Sequence, residues 1–142
     1  MKIKYVLFSF LALAAWMFFH QMGKDEARVR QTVCLNNLKL ISRAIKDYRK
    51  DHGENYPLTL EELHPKYLED RRSLRCFSVY GSTMTNAVTT SYIYFRPVSS
   101  SDPLTVIVRD KPENHSSLHG HSILYANGET VWINERDKVT GN

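Results

Sequence analysis

The sequence predicts an α+β protein in which one long N-terminal helix packs on a small antiparallel sheet of about four strands. Three observations carry this. No proline precedes Pro57, and the only glycine before His52 is Gly23, so little interrupts a helix from Met1 to His52. Within that stretch Val33, Cys34, Leu38, Ile41, Ile45 and Tyr48 recur at steps of three and four, the stripe of a helix with one buried face. Beyond it, short runs rich in β-branched and aromatic residues alternate with turn residues.

The helix has two characters. Tyr5 to Phe19 (YVLFSFLALAAWMFF) is almost wholly apolar and follows Lys2 and Lys4. At 1.5 Å per residue this run spans about 22 Å, against about 30 Å for a bilayer core. Two readings compete. Ala12-Leu13-Ala14 offers a signal-peptidase site, whose cut would leave the apolar start Ala15-Trp16-Met17-Phe18-Phe19. A retained anchor instead places Trp16 and His20 at an interface, with Met22 extending the apolar length. The retained anchor is the favoured expectation. It divides the chain into a membrane anchor over 1–22, a basic amphipathic helix over 23–52 and an extracytoplasmic head over 53–142. The location expected is the inner membrane, crossed once.

Charge follows the same division. The protein carries a formal +4 over 142 residues. His20 to His52 holds eight basic and four acidic side chains, and Gly53 onward holds nine basic and eleven acidic. The basic balance therefore belongs to the helix, as a solvated face beside a membrane or as a contact for anionic lipid headgroups or another polyanion. No base-reading element accompanies it, so no nucleic-acid partner is expected.

Gly53 suits a helix end and Pro57 confirms the stop. Thr59-Leu60-Glu61-Glu62 has the form of a capping box, with Thr59 as N-cap and Glu62 reaching back. The short helix it opens turns Leu60, Leu63 and the Tyr67-Leu68 pair inward, and Pro65 limits its length. Tyr80 to Thr90 is rich in Ser, Thr and Asn and predicts a loop. Strands are expected over Ser91–Phe95, Leu104–Arg109, Ser122–Ala126 and Glu129–Ile133. Ser99 to Pro103 turns between the first two. Asn127-Gly128 joins the last two and suits a type I′ hairpin turn.

Residues able to do chemistry are few. His115, His119 and His121 follow Asp110, and His119-x-His121 could present two imidazoles on one strand face to a metal. The competing reading is a polar loop with surface histidines, and no metal or cofactor is assigned; a secreted or periplasmic binding module whose His-rich loop takes a metal or ligand is the alternative function expected. Asp110 and Glu113 are too few acids for a calcium loop. Ser116 and Ser117 lie near these histidines in sequence, but adjacency is not the geometry of a triad, so the chain is not expected to be an enzyme. Cys34 and Cys76 form no Cys-x-x-Cys pair. A disulfide joining helix to head and a pair of buried thiols both fit. Tyr92, Tyr94, Tyr125 and Trp132 lie on or beside strands, as core residues or as an aromatic patch for a partner.

Several segments, taken in order, resemble the pilin-like proteins related to type II secretion pseudopilins. Cys34-Leu35-Asn36-Asn37-Leu38-Lys39 resembles that family's Cys-x-Asn-Leu-Lys segment after the membrane helix, continued by Ala44 and Tyr48. Tyr56-Pro57, Leu60, Leu63 and Tyr67-Leu68 resemble its turn and short helix. Leu74-x-Cys76 resembles its Leu-x-Cys-Pro, with Phe77 in the proline's place. Ser91-Tyr92-Ile93-Tyr94 resembles its Ser-Tyr-x-Tyr strand. Asn114-His115 and then Ile123-Leu124-Tyr125-Ala126-Asn127-Gly128 resemble its His and its Val-Leu-Phe-Ala-Asp-Gly hairpin. The resemblance implies a pilin-like fold, a structural or interaction role in a secretion or surface-filament system, and membrane lipid and other pilin-like subunits as partners. Two family features are missing. The first glycine is Gly23 and the first acid is Asp25, so the processing glycine and the early glutamate have no counterpart. Asn127 also stands where the family has Asp.

Overall fold

The computed structural model describes residues 2–76, 90–97, 102–111, 114–115 and 118–135; for helix residues 2–9, 20 and 22–27 it describes the backbone alone. Helix α1 spans Lys2–Asp51. Four strands follow: β1 Tyr92–Tyr94, β2 Val106–Asp110, β3 Gly120–Tyr125 and β4 Thr130–Asn134. They form one antiparallel sheet in the order β1-β2-β3-β4. The class is α+β, with a four-stranded antiparallel sheet. The loop expected over Tyr80–Thr90, apart from Thr90, lies outside the described residues, as do Ser99–Ser101, Glu113, Ser116 and Ser117.

The C-terminal part of α1 buries its apolar stripe against the sheet. Cys34, Leu38, Ile41, Ala44 and Ile45 are buried, while Lys39, Arg43, Lys46 and Lys50 stay exposed. Leu60, Leu63, Leu68, Leu74, Tyr92, Ile107, Val108 and Leu124 complete the core. The helix stops as its sequence dictates. Gly53 takes a left-handed φ of 59°, and the Glu54 N–H then donates to the Arg49 carbonyl at 2.8 Å, the closing bond of a Schellman motif. The Glu54 carboxylate also pairs with the Arg49 guanidinium at 2.6 Å.

Three expectations are corrected. The first concerns the membrane. Among the described residues no helix is long and apolar enough to cross one, so a single-pass inner-membrane location is not supported. The physical reason is length: the apolar run ends at Phe19, and Gly23-Lys24-Asp25-Glu26 follows within a turn or so.

The second correction is the capping box. Leu60–Leu63 is a single 3-10 turn, and the Thr59 side chain makes no capping bond. Glu62 reaches back one residue further than expected. Its Oε2 accepts from the Leu58 N–H at 3.2 Å and from the Tyr48 hydroxyl at 3.1 Å. The carboxylate thus ties this turn to α1 instead of closing a box.

The third is the hairpin turn. Type I′ needs positive φ at both central residues. Here Gly128 has φ 92°, and Asn127 is not among the positive-φ residues. The Tyr125 carbonyl accepts from the Gly128 N–H, and the Tyr125 N–H donates to the Glu129 carbonyl, both at 2.9 Å. The loop is therefore three residues long with its last residue left-handed, the usual geometry of a hairpin closed by a glycine bulge. The Asn127 side chain supports it by accepting from the Glu129 N–H at 2.8 Å.

A second irregularity lies between β2 and β3. The register shifts there from Val106↔Tyr125 to Val108↔Leu124, leaving Ile107 as an extra residue. Beyond this bulge the pleat runs Val108 in, Arg109 out, Asp110 in. The last residue of β2, an acid, is thereby aimed at the core.

Candidate metal centre

Four side chains from four separate parts of the chain meet under the sheet. Cys34 comes from α1, Cys76 from the segment after the 3-10 turn Arg71–Leu74, Asp110 from the end of β2 and His115 from the connection to β3. All are buried, and none is more than 3% exposed. One potential ligand atom from each lies within 4.8 Å of all the others.

Local structure explains how each arrives. Cys34 sits one helical turn before Leu38 and two before Ile41, on the buried stripe. Leu74 and Cys76 are drawn to the same place. The Asn37 side-chain amide donates to the Arg75 carbonyl at 3.0 Å, and the Ser91 N–H donates to the Leu74 carbonyl at 2.9 Å. These bonds fix the Cys76 backbone between helix and sheet. The bulge turns Asp110 inward. His115 is set by Asn114, whose N–H donates to the Lys111 carbonyl at 3.0 Å and whose side-chain amide donates to the Ser91 carbonyl at 2.7 Å. The His115 ring meets Trp132 edge-on, with centroids 5.3 Å apart. Trp132 pairs with Ser122 in register, so both side chains belong to the inner face.

Inside the cluster, His115 Nε2 lies 3.3 Å from Cys76 Sγ and 3.4 Å from the Asp110 carboxylate. Asp110 accepts a 2.8 Å bond from the Ser122 N–H, and the Asn114 amide stands 3.5 Å from its other oxygen. Burial alone would pull the His115 pKa down. The bond to Asp110 and the contact with Cys76 outweigh it and push the imidazole up from its ordinary 6.5 to about 9.

The sequence candidates fare unequally. Of His115, His119 and His121, only His115 joins the cluster. His119 precedes β3, with a left-handed φ of 49°, and is exposed. His121 lies on β3 next to Ser122. The period of two turns it to the other face, where Nδ1 pairs with Glu135 at 3.2 Å. The two imidazoles expected side by side on one strand are not. Cys34 and Cys76 are thiols, with no disulfide between them. Sequence reasoning sets Asp110 aside as a loop acid, one of too few for calcium, because the expected strand ends at Arg109. Extending that strand by one residue puts Asp110 on the face of Val108, which is the available signal.

This arrangement is closed. Its four ligand-bearing side chains are buried, and no nucleophile other than the two thiols lies among them. A small surface hollow is lined by Arg109, His119, His121 and Glu135 together with Asp110 and His115. The cluster can fasten helix to sheet, or coordinate an ion. No known protein family matches the chain, and comparison with curated proteins and with solved structures also yields no match.

Proposed function

We propose that this chain is a non-catalytic, pilin-like structural and interaction protein. Its α1 is a stem, its sheet and 3-10 turns form a head, and the stem's N-terminal part joins other copies or related subunits of a secretion or surface-filament type of assembly. The observation that carries this reading is the exposed apolar surface of the stem. Phe10, Leu11, Leu13, Trp16, Met17, Phe18 and Phe19 are all 56–72% exposed, whereas the stripe from Cys34 to Ile45 is buried. A helix apolar on every side is normally buried in an assembly, and so large a contiguous apolar patch on a single chain marks an interaction surface. Because the family's early glutamate is missing, assembly here rests on apolar packing rather than on charge pairing with a neighbour's terminus. The absence of an enzymatic role is part of the same proposal, supported by the closure of the polar cluster.

Sedimentation velocity of the full chain across a wide concentration range tests it. Reversible association is expected, and replacing Phe10, Trp16 and Phe18 together by Ser should abolish it while circular dichroism stays unchanged. A wild-type chain that remains monomeric throughout, or an unaffected triple variant, contradicts the reading.

A further inference from the structure

We infer that Cys34, Cys76, Asp110 and His115 form a binding site for a borderline divalent metal of the zinc type, held by four protein ligands. This goes beyond the proposed stem-and-head role and does not depend on it.

Two separations within the cluster have the length expected of a tetrahedral site. Zinc bonds to sulfur at about 2.3 Å and to nitrogen or oxygen at about 2.0–2.2 Å, so neighbouring ligands stand about 3.3–3.8 Å apart. His115 Nε2 is 3.3 Å from Cys76 Sγ and 3.4 Å from the carboxylate of Asp110. These are edges of such a tetrahedron, and the fourth corner, Cys34, falls within the same 4.8 Å limit.

The His115 ring nitrogen reaches both the Cys76 sulfur and the Asp110 carboxylate. A cation at the centre serves all four groups at once. Such a cation also offsets the cost of burying a carboxylate and two thiolates.

The donor set selects the metal. Two sulfurs exclude the oxygen-seeking magnesium and calcium ions. Only two sulfurs, with one imidazole and one carboxylate, do not make the four-thiolate cradle of an iron–sulfur cluster. Two thiolates, one carboxylate and a neutral imidazole around a doubly charged ion leave a net charge of about −1, as in a three-cysteine, one-histidine zinc site. The supporting shell is in place. The Ser122 N–H fixes the carboxylate, and Asn114 braces the segment that carries His115. A surface hollow lined in part by Asp110 and His115 lies beside the site. With four protein ligands no coordination position is left for a substrate, so the ion's work is structural. It would bolt α1 to β2 and to the two segments carrying Cys76 and His115. On binding, each thiol and the His115 imidazolium give a proton to solvent, and the two sulfurs and the ring nitrogen each take up a bond to the metal.

Cobalt(II) titration of the full, reduced, chelator-treated protein is the test. We expect one equivalent to bind, with a thiolate-to-cobalt charge-transfer band and the intense visible bands of tetrahedral cobalt, all bleached by zinc. Loss of an outer-shell partner typically weakens a site about 10–100-fold, so Asn114→Ala should fall in that range, and Cys34→Ser, Asp110→Asn and His115→Gln should lose more. The double variant His119→Ala, His121→Ala should bind as the wild type does. A wild-type protein with no cobalt bands, or with a weak sulfur-free octahedral spectrum, overturns the inference. So does a site lost in the His119, His121 variant and kept in His115→Gln. Wild-type and double-variant spectra suffice for this decision even where a ligand variant does not fold.

Discussion

Replacing Leu38 by Ala probes the contact between stem and head most simply. Leu38 is 0% exposed at the centre of the buried stripe. The substitution removes three carbons, each worth about 0.8 kcal/mol of transfer, or about 2.4 kcal/mol together. The space left cannot fully collapse, since Leu38 packs in one cluster with residues of the helix, the sheet and both 3-10 turns. A cavity term therefore adds to the transfer term, for a total of about 3–4 kcal/mol. Leu40, two residues on, is 42% exposed and faces away, and Leu40→Ala should cost less than about 1 kcal/mol. Urea unfolding followed by circular dichroism, with the same metal content in every sample, reads both variants. The midpoint should fall sharply for Leu38→Ala at an unchanged m-value, and barely for Leu40→Ala. Equal losses, or a Leu38→Ala loss below about 1 kcal/mol, would mean that a different helix face meets the head.

Two further predictions concern the cluster and its walls. A Cβ added at Gly120 would lie 2.5 Å from the Ile133 carbonyl oxygen and 2.6 Å from the Trp132 ring, so Gly120→Ala should part β3 from β4 there and shift Trp132 off His115. Trp fluorescence should change, and thermal stability should drop, whereas an unchanged spectrum and melting temperature would contradict this packing. In metal-free protein the stability should also depend on His115. Its folded pKa is raised to about 9 over an ordinary 6.5, so its contribution is fully present below about pH 6.5 and disappears as pH rises through 9. Urea midpoints measured in chelator should fall over that window and stay flatter in His115→Gln. Parallel profiles for the two proteins would refute the assignment.

Much of the architecture is legible in the sequence because local periodicity encodes it. The steps of three and four from Cys34 to Ile45 announce a one-faced helix, and that face is buried. The runs around Tyr92, Val108, Ile123 and Val131 announce strands, with boundaries moved by a residue or two. Asn127-Gly128 locates the hairpin. It does not fix the turn type, because one left-handed glycine serves a three-residue loop as well as a two-residue one.

The cluster is not legible in the same way. Its members stand at 34, 76, 110 and 115, with no local spacing that coordination chemistry would recognise. Two of them, Cys34 and Cys76, stand out in the sequence as a pair, and His115 stands out with the wrong companions. What joins them to Asp110 is a bulge at Ile107 that sets the phase of β2, a tertiary feature without a sequence period. The membrane expectation fails for the opposite reason. Tyr5–Phe19 is a strong local apolar signal that suggests a span, although it is short of bilayer thickness.

X-ray absorption at the zinc edge of the zinc-loaded full chain tests the central claim most directly, because it counts the atoms bonded to the metal. The account predicts one ion per chain with a first shell of two sulfurs at about 2.3 Å and two nitrogen or oxygen atoms at about 2.0–2.2 Å. A shell of nitrogen and oxygen alone, or a chain that retains no zinc after desalting, would contradict it.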